Sequence, residues 1–212
     1  EFLHPDSKHL FEINFPIFKK RGYSHNTQFI MKHKNGNFIE VIFEGCVEYK
    51  KDGSFKQSYC IFNDITEQNL TAKKIDALEI RTQALLDHSP LCHKVVDLDF
   101  NLQYMNKTGF KMLHINNVNE VYGKPFPFSF FTDDFKKEML NAMEEVKKTL
   151  NSVYLESSSI TKKGIELWIA STIVPVISNN KIDYLTIVSD NITQRKKDEI
   201  NREKLENKLI QA

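Results

Sequence analysis

The feature that most restricts the fold is a plan that the chain uses twice. "KHKNGNFIEVIFEGCVEYKKDGSFKQSYCIFNDITEQ" and "ITKKGIELWIASTIVPVISNNKIDYLTIVSDNITQR" each open on Lys-x-Gly, at Gly36 and Gly164. A long β-rich run follows, then a turn (Lys51-Asp52-Gly53; Ser178-Asn179-Asn180), then a second β-rich run. Both end on Asp/Ile/Thr, at Asp64, Ile65, Thr66 and at Asp190, Ile192, Thr193, and run straight into charged helix-forming sequence. Gly36 to Thr66 is 30 positions and Gly164 to Thr193 is 29. Matched order and spacing point to duplication, so the chain folds as two related units.

Local chemistry supplies the elements. Asp-Gly and Asn-Asn accept the positive φ of tight hairpins. The flanking runs are β-branched and aromatic. Three antiparallel strands per repeat are predicted, at about 25–34, 38–49 and 55–64, and at about 153–161, 166–177 and 181–190. A helix precedes each triplet. In the second repeat it is Asp134 to Leu150, with Phe135, Met139, Met143 and Val146 at helical spacing. In the first it is about Pro5 to Lys20, disturbed at Pro16 and stopped by Gly22. The second triplet also has a hairpin in front, about 94–97 and 102–106, and a short helix carrying Phe110 and Leu113. Nothing equivalent precedes the first triplet, so the first unit is expected to lack its opening strands.

Between the units, Thr71, Ile75, Leu78, Thr82 and Leu85 recur at spacings of 4, 3, 4 and 3. That seam fits either a parallel dimer helix or a helix docked on its own domain. The tail carries Ile200, Leu205 and Leu209 on a second charged helix. The expected organisation is 1–66, the end of one unit; 67–88, a linker helix; 89–193, a complete unit; and 194–212, an exit helix.

Composition excludes several classes. With 29 basic and 28 acidic side chains there is no broad field to draw nucleic acid or an anionic membrane. Cys46, Cys60 and Cys92 are sparse and unpaired in spacing, which fits a reducing, cytoplasmic setting rather than a disulfide framework. Cys46 and Cys60 lie in apolar runs and are expected to be buried. No stretch reaches the apolar length of a membrane span. The chain begins without Met and reads as an excised fragment, so a membrane segment elsewhere in a longer parent stays open.

The order of hairpin, small helices, long helix and meander ending in Asp-Ile-Thr before a coiled-coil helix resembles the PAS domain family. The likeness rests on "FLHPDSK", "KKRG", "MKHKNGNFIEV", "KKDGSF" and "FNDITEQ" in the first unit. In the second it rests on "LLDHSPLCHKVVDLDFNLQYMNKTG", "SITKKGIELWI" and "IVSDNITQRKKDE". It implies an α+β fold: a five-stranded antiparallel sheet with small helices on one face, preceded by a partial unit and joined by the linker helix. It also implies a tandem PAS/PAC sensor region of a bacterial sensor histidine kinase of a two-component system, or of a similar receptor. Such modules sense, dimerise and transmit while another domain performs the output chemistry.

Both units depart from the family pattern. Without opening strands, strand 55–64 has an open edge, a pairing liability covered by the linker helix, by the second unit or by a dimer mate. In the second unit Asn191 reads as an insertion between Asp190 and Ile192, which predicts a bulged join.

Cofactor chemistry finds little support. Flavin-binding members resemble a Gly-x-Asn-Cys-Arg-Phe-Leu-Gln pattern before the long helix, whereas "VYGKPFPFSFFTDD" has no Cys and Cys92 lies before the first strand. Haem-binding members use a His near the long helix, and "DDFKKEMLNAMEEVKKTL" has none. His4, His9, His25, His33, His88, His93 and His114 form no H-x-x-x-H or H-E-x-x-H spacing, so no metal site is expected. No catalytic constellation is legible, and no enzyme activity is expected of these residues.

Two kinds of site remain. The junction residues Asp64, Ile65, Thr66, Asp190, Ile192 and Thr193 are expected to relay a change from each sheet to the helix after it, with the Thr193 hydroxyl capping that helix. Carried over by position from the family, a pocket would draw on Tyr104, Phe110, Met112, Leu113, Phe126, Phe130, Phe131, Met139, Trp168, Ile173 and Ile187. The same residues read equally as plain core, because aromatic and Met side chains fill space without a ligand. An open pocket so rich in Phe suits a small apolar ligand. The expected partners are a second copy, through helices 67–88 and 194–212, and a missing output domain. A scaffold that only dimerises or docks a partner is the alternative to a sensor.

Overall fold

In the computed structural model the described residues are 2–210, with side chains described to 207. Glu1, residues 211–212 and the Leu209 side chain, all inside expected elements, lie outside the described residues. The chain divides into two compact units, 1–80 and 81–212.

Unit 1 consists of α1 (Pro5–Arg21), β1 (Tyr23–Lys32), β2 (Phe38–Tyr49), β3 (Phe55–Asp64) and the start of α2 (Thr66–His88). The helix α1 does not break at Pro16. Both Pro16 and Glu12, whose carbonyl loses its partner, face solvent, so water satisfies the freed group. Gly22 ends the helix as expected, at φ 89° with its N–H on the Phe18 carbonyl. The strands pair antiparallel in the order β1-β2-β3. Strand β1 starts and ends two residues earlier than expected, because a bulge between Ser24 and Thr27, with Asn26 at φ 54°, lets pairing begin at Tyr23. Phe18, Phe29, Val41 and Phe43 make the core.

Strand β3 is the outer strand of its sheet, and every residue in it but Ser58 is exposed. Cys46 and Cys60 are accordingly exposed rather than buried: Cys60 lies on this open strand and Cys46 on β2 is paired with the exposed Tyr59.

Unit 2 adds the rest of α2, then β4 (Cys92–Val96), β5 (Leu102–Met105), α3 (Lys107–Leu113), a 3-10 turn at Val118–Glu120 and α4 (Asp133–Thr149). The meander β6 (Val153–Ile160), β7 (Glu166–Ser178) and β8 (Lys181–Asn191) follows, and α5 (Thr193–Ile210) leaves it. The sheet is antiparallel in the order β5-β4-β8-β7-β6. Asn179 and Asn180 turn the β7–β8 hairpin at φ 50° and 59°, the conformation that a two-residue connection demands. Phe135, Met139, Ala142, Met143 and Val146 bury one face of α4 over the sheet, and Thr132 caps that helix through the Phe135 N–H. Cys92 opens β4, fully buried, rather than preceding the strand. Among the described residues no helix is long and apolar enough to cross a membrane, and no cluster of His, Cys, Asp or Glu could hold a metal.

Candidate functional site

Each sheet passes to its outgoing helix through one set of four hydrogen bonds. In unit 1 the Asp64 Oδ1 accepts from Thr66 N–H at 2.9 Å and from the Thr66 hydroxyl at 2.6 Å. The same hydroxyl accepts from Glu40 N–H at 2.8 Å, and Ile65 N–H donates to the Glu40 carbonyl at 2.9 Å. In unit 2 the Asn191 Oδ1 accepts from Thr193 N–H at 3.1 Å and from the Thr193 hydroxyl at 2.6 Å. That hydroxyl accepts from Trp168 N–H at 2.9 Å, and Ile192 N–H donates to the Trp168 carbonyl at 2.9 Å. Ile65 and Ile192, between the two polar residues, are buried.

This geometry corrects the expected junction. Asn191 is no insertion; it stands where Asp64 stands, and its pairing with Ile169 matches that of Asp64 with Val41. The register of β7 and β8 is regular there and shifts only at Val176/Ile177, so the join is not bulged. Asp190 is a strand residue paired with Ala170 and is exposed. Nor does the Thr193 hydroxyl turn to the helix. It bridges the end of β8 to the start of β7, and Asn191 takes the first helical N–H. The reason is chemical: a hydroxyl both donates and accepts, so Thr can join an acceptor on its own strand to a donor on the next.

Carboxylates on each sheet hold the helix beyond the join. In unit 1, Glu40 accepts from Asn69 and pairs with Lys73 at 3.1 Å, and the Asn69 bond chiefly holds its carboxyl below the usual range. In unit 2 Trp168 occupies the corresponding position, so the anchor moves one strand over. Glu156 on β6 binds Lys196 at 2.8 Å and Arg195, and Lys196 lies over the Trp168 ring, 5.6 Å from its centroid. The Lys196 bond first, then those of Tyr154 and Arg195, lower the Glu156 carboxyl to about 2.

The incoming helix is fastened to unit 2 by a residue that the sequence reading passed over. Asn106 is fully buried and makes four hydrogen bonds. Its oxygen accepts from His93 N–H (3.0 Å) and Gly109 N–H (3.1 Å), and its amide donates to the carbonyls of Leu86 (2.7 Å) and Leu91 (2.9 Å). Lys107 pairs with Asp87 at 2.9 Å, which lowers that carboxyl, and Gln83 reaches the Tyr104 hydroxyl at 3.3 Å. The available signal was Asn three residues before Gly109 at a strand-to-helix step, an N-cap pattern.

The pocket residues fall into three groups. Leu113, Met139, Ile173 and Ile187 have no exposed surface, and Phe126 and Phe131 are buried with them in one cluster. Phe110, Met112 and Phe130 are half-buried against that cluster. Tyr104 and Trp168 do not belong to it. Alternation along β7 turns Leu167 and Ile169 inward and Trp168 outward, and Tyr104 is paired with the outward Val95. A separate apolar cavity of about 200 Å³ lies in unit 1, lined chiefly by Phe11, Phe15, Phe18, Phe29, Phe43 and Phe62.

A family model described as the PAS fold matches residues 86–197. Comparison with curated proteins gives no match. Among solved structures the chain is similar to a PAS domain from Colwellia psychrerythraea, at 18% identity over 56% of this chain and 98% of that one, with a TM-score of 0.49. A sensory box histidine kinase/response regulator from Burkholderia thailandensis E264 is 15% identical over 62% and 99% respectively, with a TM-score of 0.49. An RNA-binding light-oxygen-voltage receptor matches 97% of this chain and 88% of its own at 9% identity, with a TM-score of 0.53.

Proposed function

The chain belongs to the PAS-fold family, whose model spans residues 86–197, and from that premise we propose that it is a non-catalytic sensory region that relays a change through its strand-to-helix junctions. PAS domains are sensory modules, and in this chain the signal leaves at the junctions. The observation that carries it is the repetition of one four-bond join at Asp64–Thr66 and at Asn191–Thr193. A shift of β7 against β8 is felt at the Trp168 N–H and passes through one hydroxyl to the first turn of α5. That rigid step suits a helix whose displacement biases an output domain between two arrangements. The signal reaches unit 2 along α2, which Asn106 fastens at its end. The output domain would be a histidine kinase or a similar effector in a cytoplasmic receptor.

The two helices 67–88 and 194–212 are the proposed contact between copies. No residue of α2 is buried, and Ile75, Leu78 and Leu85 lie exposed along its seam. A helix with its apolar positions in water gains by pairing them with a second copy. The close packing of Leu113, Met139, Ile173 and Ile187 supports a second reading, a dimerising or partner-docking scaffold that binds no small molecule. Native mass spectrometry separates the two: a retained small apolar molecule supports sensing, and a ligand-free dimer supports the scaffold. The relay itself is tested in the intact receptor by one residue inserted after Thr193 and, separately, by Asn191→Ala. Unchanged output in both sinks it.

A further inference from the structure

Unit 2 keeps a lysine inside its core. Lys94 stands at the middle of β4, and alternation with Cys92 and Val96 turns it to the inner face, where only 4% of it is exposed. Its lateral neighbours on the sheet are Met105 and Ile187, both buried. An ammonium has three donors. One meets the Ser189 hydroxyl at 3.1 Å, and the nitrogen lies over the Phe126 ring, 5.5 Å from its centroid. Ser189 shares a further 2.9 Å hydrogen bond with Ser171. Among the described residues Lys94 joins no ion pair.

A lysine near a surface runs its stem along apolar groups and keeps its charge in water. Lys94 cannot, and a buried ammonium with incomplete partners is unfavourable unless an anion joins it. A methionine would fill the same space without that penalty. We propose that the core of unit 2 receives a small carboxylic acid, its carboxylate on Lys94 and Ser189 and its apolar body among Phe126, Met105 and Ile187. This rests on the sensory reading and specifies what is sensed. Room comes from repacking, since Met105, Met139 and Met143 belong to the same cluster and unbranched thioethers rearrange readily. Position supplies the consequence. Ser189 lies two residues before Asn191 on β8, so a carboxylate that takes over its hydrogen bonding acts beside the junction.

Thermal unfolding of the whole chain, followed through Trp168 on β7, with benzoate, hexanoate and their neutral amides at matched ionic strength, tests this. The acids are expected to raise the Tm of unit 2 and the amides to leave it in place. Lys94→Met should raise the Tm of the ligand-free protein and weaken acid binding by at least ~10-fold, the loss of one charged hydrogen bond. If no acid shifts the wild-type Tm, or if Lys94→Met binds the acids as the wild type does, the proposal is overturned. Should Lys94→Met fail to fold, Ser189→Ala takes its place, with a weaker acid response expected and an undiminished one counting against the proposal. A negative result leaves the junction relay standing, because that is judged by the insertion after Thr193, and loss of the relay leaves acid binding intact.

Discussion

Asn106→Ala should be among the most damaging single substitutions in unit 2. The side chain is fully buried and holds two N–H groups and two carbonyls at 2.7–3.1 Å. A hydrogen bond of this kind is worth a net ~1 kcal/mol, and a buried partner left unsatisfied raises that figure. Gly109 is buried, so its N–H cannot turn to water, whereas His93 is half-buried and recovers part of its loss. The freed side-chain entropy of the asparagine returns less than one bond. The sum is about 3–5 kcal/mol, a large fraction of the stability of a domain this size. Urea unfolding followed by Trp168 fluorescence measures it, and with a slope of about 2 kcal/mol/M the midpoint should fall by about 1.5–2.5 M. Asn106→Ser, which keeps an acceptor for the Gly109 N–H but reaches neither carbonyl, should recover about 1 kcal/mol. Asn106→Asp keeps both accepted bonds, sets a charge against the Leu86 and Leu91 carbonyls, and should do no better than alanine. A loss below about 1 kcal/mol for Asn106→Ala would refute the claim that this amide ties α2 to unit 2.

Three further outcomes are expected. The folded-state carboxyl of Glu156 is lowered from 4.5 to about 2, so its contribution is present above pH 4.5 and fades as pH falls toward 2; the protection of amides in the first turns of α5, relative to their intrinsic exchange at each pH, should fall over that window, and Glu156→Gln should remove that dependence. Gly109→Ala would put a Cβ 2.5 Å from Met105 Cγ and 2.6 Å from Cys92 Sγ, so it should destabilise unit 2 by about 1–3 kcal/mol in urea titration. Asn191→Ala removes the acceptor for the Thr193 N–H and hydroxyl and should cost about 1 kcal/mol, seen as fraying of α5 by exchange, while Asn191→Asp restores the arrangement of unit 1.

The architecture was legible because it was written twice and because strand and helix periods differ. The Asn179-Asn180 turn, the Gly22 stop and the buried face of α4 all follow from local chemistry. The junction was misread at one residue, since matching like letters set Asp190 beside Asp64, whereas pairing register sets Asn191 there. Amide and carboxylate oxygens accept the same two bonds, and register is not visible in a string. Trp168 and Tyr104 were misplaced for a related reason. Apolar character alone does not say which face of a sheet a residue occupies when both faces carry large side chains, as Leu167, Trp168 and Ile169 do in succession. Cys60 and Cys46 look like core by composition, but Cys60 lies on β3, the outer strand among the described residues, and alternation along β2 turns Cys46 to the face opposite the buried Val41 and Phe43.

Native-state hydrogen exchange, resolved by residue across the second junction, tests the relay most directly. If β7, β8 and α5 are joined as one step, the amides of Trp168, Ile192 and Lys196 open together, with one shared free energy that falls equally in Asn191→Ala. If the Lys196 amide exchanges freely while the Trp168 amide stays protected, sheet and helix move independently, and the relay account is wrong.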